Sequence, residues 1–466
     1  MSHQGFDITF KEFKEQFYSR IGDGNCFDVL DINTLKVVLD GLKVQYSKRG
    51  KISPYLNKSI FLLFIYYFFK ILIDLKKRKN FKLKKLKLLK NKYLTAFSDN
   101  YYQEDNKKYS IYYENLYRHY GRENFCYIKK SSKDSLTADI ELKDLIFSFN
   151  IFQKYNFSLL IALKKNLNVL RNSKQWNDDE LANISIAYFL FINEYFKFDF
   201  LLKKMNFKFA FMDGHYHEEA FILACKKNNV KVIELQHGLI SKEDIFYVLP
   251  KQVNKCISKA LFADYIFVYG NYWKEVLLNG AEYSDKQINI IGDYQFEGEK
   301  EINPEKNGLK KILITTQYSI ESYYISYIKS LSYNLDKNWE IIVKIHPVES
   351  KEIYSELAQL ENVKVTSDNL NKLIDLSEFT ISIFSTTLFD SIRRGKPSFA
   401  LNIDFFKDYV DDIVSTNIIY LLQLNENPID KFKALDWDKN KVQSNRFYEK
   451  FNPSIKLDDI LFSKFN

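Results

Sequence analysis

Histidines follow apolar, strand-like runs at several points in the second half of the chain. Four of the six histidines do so: His215 and His217 after FKFAFM, His237 after KVIELQ, and His346 after EIIVKI. In an open parallel sheet, ligands bind beyond the carboxyl ends of the strands. These side chains are therefore candidates for hydrogen bonds to a ligand and for proton transfer.

A carboxylate occupies the first of these strand ends. Asp213 follows FKFAFM in the segment MDGHYHEE, and Gly214 after it permits a tight turn. From this position a carboxylate can accept the proton of an attacking hydroxyl group. Two alternatives stay open: Asp213 only caps the following helix, or His215 or Glu218 is the base instead.

The run KVIELQHGLI ends its apolar part in a polar triplet, Gln236, His237 and Gly238. Its strand comes next along the chain after the one that carries Asp213, so we expect the triplet to line the same edge of the sheet. Gly238 lets the backbone approach a ligand closely. Gln236 and His237 offer hydrogen-bond donors to that ligand or position the base.

Further candidates follow two later strands. His346 lies in the segment KIHP, where Pro347 stops the strand and suits the first turn of a helix. A histidine there can donate a hydrogen bond to a phosphate oxygen or, if protonated, offset the charge of a departing phosphate. A histidine that only bonds to the backbone is the alternative. Thr316 and Gln317, at the end of KILITTQ, belong to the same predicted binding set.

Three consecutive hydroxyl residues, Ser385, Thr386 and Thr387, separate the strand-like EFTISIF from a predicted helix. The first amides of a helix form an anion site with its positive dipole end, and hydroxyl groups add further donors. An ordinary helix cap, the alternative, explains one hydroxyl residue but not three. The segment is therefore predicted to bind phosphate.

The elements that position these residues alternate along the chain after residue 205. Short apolar runs and amphipathic segments follow one another, which predicts βαβ units and parallel sheets. We expect one doubly wound domain at 131–300 and a second at 301–466, joined by the polar segment 297–308. Residues 1–130 are predicted to be a helical N-terminal region. The helical pattern continues to about residue 200, with a helix start at Asp178 and Asp179.

The chain of 466 residues has a net charge of +9, which is modest for its length. Its cations are concentrated in one place: ten Lys or Arg residues at 76–92 directly follow the apolar segment 59–73. That apolar segment is too short to span a bilayer, since about 20 residues are needed. We expect residues 59–92 to bind an anionic membrane surface. A buried helix followed by a solvated basic helix is the alternative.

Several classes of protein lose support from what the sequence lacks. Its four cysteines are far apart, which argues against structural zinc and disulfides and favours the cytoplasm; no secretory signal is visible at the N-terminus. It contains no dinucleotide-binding, P-loop, nucleophile-elbow or zinc-peptidase motif. The basic run contains a single aromatic residue, Phe81, and no series of aromatic residues on which bases could stack, so nucleic acid is not an expected partner. A site without metal or cofactor is predicted.

Taken together, MDGHYHEEA, ELQHGLI, ADYIFVYGNYWKEVLLNGA, INIIGDYQF, KIHP and SIFSTTLFDSIRRGKP resemble the bacterial capsule and surface-polysaccharide glycosyltransferases of the GT-B type. The resemblance covers about 205–402 and is strongest to the group that uses CMP-activated sialic or Kdo-like sugars. It implies two Rossmann-like domains facing a cleft, with the acceptor, a glycan or glycolipid, entering from the first domain and the nucleotide-sugar donor lying on the second.

The resemblance also implies roles for individual residues. Asp213 matches the acidic-Gly position of a general base, His346 matches the histidine that contacts the nucleotide phosphate, and Ser385 to Thr387 match the hydroxyl-rich phosphate site. The implied reaction is an inverting, metal-independent sugar transfer at the inner face of the cell membrane. The sequence departs from the pattern at Met212, where a second carboxylate is usual, and at Asp293, where Asn-Pro is frequent.

Three rival functions remain. A CDP-glycerol-type polyol-phosphate transferase shares the fold and similar HP and Ser/Thr motifs, and an epimerase acting on a UDP-sugar is a weaker rival. A non-catalytic, membrane-associated scaffold that has kept the fold is the rival from a different class.

Overall fold

The computed structural model describes the greater part of the chain between Tyr93 and Glu449. The described ranges are 93–96, 101–104, 107–110, 113–129, 140–141, 170–172, 176–215, 218–244, 246–249, 258–280, 282–292, 308–317, 320–347, 349–437 and 446–449, with isolated residues at 15, 28, 29, 32, 33, 37 and 168. The predicted membrane-binding segment 59–92, His217, Asp293 and the linker up to residue 307 lie outside them.

The strands, in chain order, are β1 (Asp28–Val29), β2 (Ile32–Asn33), β3 (Tyr93–Ala96), β4 (Tyr101–Glu104), β5 (Lys107–Ser110), β6 (Phe125–Lys129), β7 (Ile140–Glu141), β8 (Phe209–Met212), β9 (Lys231–Leu235), β10 (Tyr265–Val268), β11 (Ile288–Ile290), β12 (Lys310–Thr315), β13 (Trp339–Lys344), β14 (Val363–Thr366), β15 (Phe379–Ser382), β16 (Ser398–Leu401) and β17 (Tyr420–Leu422). The α-helices are α1 (Glu114–Tyr120), α2 (Asp178–Leu202), α3 (Glu219–Lys227), α4 (Asn271–Leu278), α5 (Glu321–Tyr333), α6 (Leu370–Asp375), α7 (Thr387–Arg393), α8 (Lys407–Val414) and α9 (Pro428–Lys433).

Two parallel sheets organise these elements. The first has the order β11-β10-β9-β8-β3-β6-β7 and the second the order β14-β13-β12-β15-β16-β17. Every pairing between neighbours in both sheets is parallel. Their middle strands are almost wholly apolar and buried, as parallel strands covered by helices on both faces must be. We call the two sheets with their helices the first and second lobe.

The structure confirms the strands predicted after residue 205 and differs before it. β3 and β6 belong to the centre of the first sheet, where β3 pairs with both β6 and β8. The sequence analysis placed these residues in a helical N-terminal region. A strand of four residues directly after a basic run shows no periodicity of its own, so its pairing with β8 decides its structure.

The helix predicted to start at Asp178 and Asp179 is α2, which begins with a capping box. The Asn177 side chain accepts a hydrogen bond from the Glu180 amide at 2.9 Å, and the Glu180 carboxylate accepts one from the Asn177 amide at 2.9 Å. Phe198 of α2 meets Phe221 of α3 at a ring-centroid distance of 5.1 Å, which places both helices in the same core of the first lobe. None of the helices in the described ranges is both long and apolar enough to cross a bilayer.

Residues 446–449, the last that the structure describes, pack against the first lobe. Trp273 of α4 donates a hydrogen bond to the Phe447 carbonyl at 2.9 Å, and Tyr269 stacks on Tyr448. A β-carbon at Gly270 would lie 2.5 Å from the Phe447 carbonyl, so glycine is needed for this close approach. The chain thus returns to the first lobe after completing the second.

Candidate functional site

The topology gives each sheet one point where the strand order reverses. In the first sheet the chain passes from β3 to β6 on one side and later to β8 on the other; in the second it passes from β12 to β13 on one side and later to β15 on the other. Ligands of doubly wound sheets bind at such points, beyond the carboxyl ends of the strands. Asp213 follows β8, Thr316 follows β12 and Ser385 follows β15, so the predicted residues lie at these two positions.

The turn after β8 lies directly under the His237 ring. A β-carbon at Gly214 would lie 2.8 Å from Cε1 of His237 and 3.2 Å from its Nδ1. Gly214 is not among the glycines with positive φ, so the close approach of the His237 ring, and not the turn conformation predicted from the sequence, favours glycine at this position. Asp213 and His237, both half-buried, are thereby brought together at one edge of the first lobe.

His215 has a structural role that differs from the predicted contact with substrate. It is fully buried, Nδ1 lies 2.8 Å from Oε2 of Glu234, and Nε2 donates to the Phe246 carbonyl at 2.7 Å. Both ring nitrogens are therefore occupied by the protein. The side chain fixes the turn that carries Asp213 to β9 instead of reaching into the cleft.

Glu234 is the centre of this buried network, and sequence reasoning missed it. Its carboxylate pairs with His215 and accepts hydrogen bonds from the hydroxyl groups of Tyr247 at 2.7 Å and Tyr283 at 3.1 Å. Burial together with the neighbouring Glu234 raises the pKa of Tyr283. The signal in the sequence was a carboxylate within the otherwise apolar KVIELQ.

Gln236 is also a structural residue, which differs from its predicted contact with a ligand; its other predicted role, positioning the base, stays a prediction. It is buried, Nε2 donates to the Gly238 carbonyl at 2.9 Å, and Oε1 accepts from the Tyr269 amide at 3.0 Å. The side chain thus holds the turn after β9 against the end of β10. His237 projects from this turn; burial lowers its pKa, and the Glu234 carboxylate opposes that shift.

In the second lobe, another buried carboxylate binds the backbone of the KIHP segment. Buried Glu349 accepts hydrogen bonds from the Thr316 hydroxyl, from the His346 amide at 2.9 Å and from the Tyr354 hydroxyl at 3.1 Å. The Thr316 hydroxyl also accepts from the His346 amide at 3.0 Å. The predicted binding residue Thr316 is therefore a support for the His346 backbone.

The exposed His346 ring lies at the end of β13, next to the exposed Pro347. Partial desolvation lowers its pKa, Glu349 opposes the shift and Lys344 adds to it. A lowered pKa favours the neutral ring, which still donates one hydrogen bond. In the predicted contact with a phosphate oxygen, His346 therefore acts as a neutral N–H donor and not as a positive charge.

Gln317 joins the ends of β12 and β15. Its Oε1 accepts hydrogen bonds from the Phe384 amide at 3.1 Å and the Tyr324 hydroxyl at 2.9 Å. Because a backbone amide can only donate, the acceptor must be the oxygen, and the opposite Nε2 remains a donor. Gln317 is half-buried, so its predicted role in binding remains compatible with this geometry.

The hydroxyl residues after β15 are half-buried at the start of α7. Thr387 bonds through its hydroxyl to that of Thr315 at 2.6 Å, and the Ser385 hydroxyl accepts from the Thr387 amide at 3.2 Å. Within the described part of the chain, the backbone amides of Ser385 and Thr386 donate no hydrogen bond. Among the described residues, no protein partner therefore competes with an anion for these two amides.

The two lobes meet where their predicted motifs lie. A β-carbon at Gly238 would lie 3.8 Å from Cγ2 of Thr386, an ordinary van der Waals contact. The QHG triplet (Gln236 to Gly238) and the Ser/Thr segment (Ser385 to Thr387) therefore face each other across the cleft. Among the residues that the structure describes, no group of three His, Cys, Asp or Glu side chains could hold a metal ion.

Comparison with known proteins identifies the architecture. No family model and none of the curated proteins matches the sequence. Among solved structures, the complex of S. aureus MnaA with UDP has a TM-score of 0.50 at 13% identity and covers 81% of this chain and 97% of its own. The UDP-GlcNAc 2-epimerase from Neisseria meningitidis bound to UDP-GlcNAc has a TM-score of 0.46 at 14% identity, covering 79% and 99%.

The calicheamicin glycosyltransferase CalG4 is similar at 9% identity with a TM-score of 0.47, covering 80% of this chain and 98% of its own. Identities this low show the fold alone. The two parallel sheets with facing strand ends, together with the similarity to MnaA, confirm the predicted fold class: the chain has the GT-B fold, with two Rossmann-like lobes facing a cleft.

Proposed function

We propose that the protein is an inverting, metal-independent glycosyltransferase that moves a nucleotide-activated sugar onto a hydroxyl group of a bacterial surface glycan or glycolipid. The observation that carries the proposal is the juxtaposition across the cleft. Asp213 and His237 lie at the strand ends of one lobe, and the amides and hydroxyls of Ser385 to Thr387 lie opposite them, so close that a β-carbon at Gly238 would touch Cγ2 of Thr386.

The proposed chemistry uses each edge for one half of the reaction. Asp213 accepts the proton of the acceptor hydroxyl, whose oxygen attacks the anomeric carbon as the bond to the nucleotide phosphate breaks. His237, packed on the Asp213–Gly214 turn, orients the acceptor or the base. Displacement from the opposite face inverts the configuration at that carbon.

The negative charge on the leaving nucleotide develops at the second lobe. His346, the Gln317 amide group and the donors at Ser385 and Thr386 meet this charge in the proposal. Each preorganised donor aimed at developing charge is worth about 3 kcal/mol in the transition state. These donors would stabilise the charge that a bound cation stabilises in metal-dependent enzymes. We therefore expect activity to survive exhaustive treatment with EDTA.

The donor is proposed to be a CMP-activated sialic or Kdo-like sugar, on the basis of the motif resemblance. UDP is the competing nucleotide, since it is the one bound to MnaA in the solved complex. Thermal unfolding of the full chain with CMP, CDP, UDP or GDP tests the assignment. A rise in Tm with CMP alone supports it, whereas a rise with UDP alone contradicts it.

Product analysis separates the rival reactions. Release of CMP together with a new glycosidic bond supports sugar transfer; transfer of glycerol phosphate from a CDP donor supports the polyol-phosphate transferase. Conversion of a UDP-sugar to its epimer without an acceptor supports the epimerase. Asp213→Ala and His346→Ala variants that fold normally and complement polysaccharide synthesis like the parent protein would instead support the scaffold.

The acceptor is proposed to be presented at the inner face of the cell membrane, where the basic segment 59–92 binds anionic lipid. Binding to vesicles that contain anionic phospholipid, and its loss when the lysines of this segment are replaced by glutamine, tests this part. Equal binding to neutral vesicles would contradict it.

A further inference from the structure

The two lobes also meet where Trp273 of α4 packs on Phe389 of α7, at a ring-centroid distance of 5.0 Å. A further contact between the lobes involves the segment that carries the triplet Gln236 to Gly238. We define the QHG loop as the described residues 236–244 and 246–248. Near its middle, the Ser241 hydroxyl donates to Oδ2 of Asp412 at 2.6 Å, and the Lys242 amide donates to the same oxygen at 3.1 Å. Asp412 belongs to α8 of the second lobe, so its carboxylate links the loop to that lobe.

The linkage is buried. Ser241 is 2% exposed and Asp412 is 3% exposed, so neither group exchanges its partner for water at low cost. The Lys242 ammonium also lies 3.0 Å from Oδ1 of Asp412, but its side chain is half exposed and adds little. The strong part of the contact is therefore the pair of hydrogen bonds to Oδ2.

The loop continues from this contact to the network beneath Asp213. The Phe246 carbonyl accepts from His215, and the Tyr247 hydroxyl donates to Glu234. One short segment thus touches Asp412 of the second lobe and the residues that fix the turn of the proposed base. Movement of the loop away from α8 necessarily changes the surroundings of His237.

A tyrosine of α8, Tyr409, packs beside the segment Ser385 to Thr387. The ring of Tyr409 packs against the ring of Phe384, with 5.3 Å between the centroids, and Phe384 directly precedes Ser385. Burial, followed by the carboxylates of Asp244 and Glu243 in the loop, raises the pKa of Tyr409. The same helix therefore borders the loop on one side and the proposed phosphate site on the other.

We propose that Asp412 is a positioning residue: by binding Ser241 and the Lys242 amide, it docks the QHG loop on the second lobe and sets the spacing between Gly238 and Thr386 across the cleft. The inference about catalysis rests on the proposed glycosyl transfer. Docking itself is a property of the folded chain and is measurable without any substrate.

A cysteine pair, Gly238→Cys with Thr386→Cys, reports docking in the full-length protein. The 3.8 Å separation between a β-carbon at 238 and Cγ2 of Thr386 brings the two thiols within reach of a disulfide. We expect Asp412→Ala to slow formation of this disulfide at least tenfold. Asp412→Asn keeps an acceptor oxygen for both bonds and is expected to slow it less than threefold.

Asp411→Ala is the matched control, since Asp411 is the adjacent aspartate of α8 and is exposed. All rates are compared below the Tm of each variant, and Ser241→Ala provides a second, milder disruption. Equal rates for Asp412→Ala and Asp411→Ala in folded protein would overturn the proposal.

Kinetics with the two native residues at 238 and 386 test the catalytic consequence. Asp412→Ala is expected to lower kcat at least tenfold while nucleotide affinity changes less than threefold, because the phosphate site lies on the second lobe alone. A parallel loss of nucleotide affinity would indicate general damage and contradict the positioning role. If docking depends on Asp412 but no sugar transfer occurs with any donor, the proposed function fails and the docking result stands.

Discussion

The two edges of the cleft are built from different chemistry. At the first lobe, the fully buried Glu234 carboxylate is bonded to the His215 ring and to two tyrosine hydroxyls. At the second lobe, the buried Glu349 carboxylate accepts only from hydroxyl and amide groups. Hydroxyl and amide groups also connect Thr315 to Thr387 and Gln317 to Tyr324. A buried carboxylate that is bonded to a histidine is costly to separate from it, whereas a hydrogen bond between two neutral groups contributes little.

This difference matches the two tasks proposed for the edges. A base must hold one position relative to the acceptor, and the network under Asp213 fixes its turn rigidly. A phosphate site must offer donors to a charge that arrives and leaves, and the second edge keeps amides and hydroxyls available for that purpose. The four predictions that follow test this contrast.

The largest effect is expected from Glu234→Ala. This substitution leaves the buried His215 without its carboxylate, and breaking a buried pair in this way costs about 3–5 kcal/mol. Equilibrium unfolding in urea measures the loss. In comparison, Glu349→Ala removes an acceptor from neutral donors only and is expected to cost less; an equal cost would contradict the contrast between the edges.

Gly214→Ala is expected to reduce sugar transfer about tenfold with a loss of less than about 1 kcal/mol in unfolding free energy. The new methyl group would lie 2.8 Å from the His237 ring, which can move aside by rotation of its side chain at small cost to stability. Steady-state kinetics and thermal unfolding measure the two effects. Unchanged kinetics would show that the position of the His237 ring is not important for the reaction.

The stability of the protein is expected to fall as the pH drops through 6.5, the ordinary pKa of histidine. His237 and His346 both have lowered pKa values in the folded chain, so the unfolded chain binds protons first and is favoured at acid pH. The slope ends below the folded-state pKa values. His237→Gln should remove more of the slope than His346→Gln, because His346 is exposed; the reverse order would contradict this reading.

The smallest effect is expected from Thr387→Val, which removes the hydrogen bond to Thr315. The net contribution of one neutral hydrogen bond is about 1 kcal/mol, so a fall of a few degrees in Tm is expected. Thr387→Ser keeps the hydroxyl and serves as the control. A much larger loss would show that the second edge is as tightly coupled as the first.

Much of the architecture could be predicted from the sequence because its signals are local. The runs FKFAFM, KVIELQ and KILITTQ are short, apolar and bounded by polar residues, and each contains a strand of the structure. β3 could not be recognised in the same way, since its four residues gain their conformation from pairing with β6 and β8.

Within the candidate site, the sequence identified the segments but not which side chains are free to act. His215, Gln236 and Thr316 have the residue types of ligand-binding groups, yet protein partners occupy them in the folded chain. Glu234 was missed because a single carboxylate in an apolar strand gives no indication of its partners, which lie 13, 19 and 49 positions away.

The alternation of strands and helices, and with it the polar residues at the strand ends, follows from the amino-acid order because hydrophobic periodicity is a local property. Which of those residues face the cleft depends on how the folded chain packs. It packed His237 on Gly214, buried His215 against Glu234 and docked Ser241 on Asp412. Contacts of this kind depend on long-range packing and on the burial of charge, neither of which is encoded in any single segment.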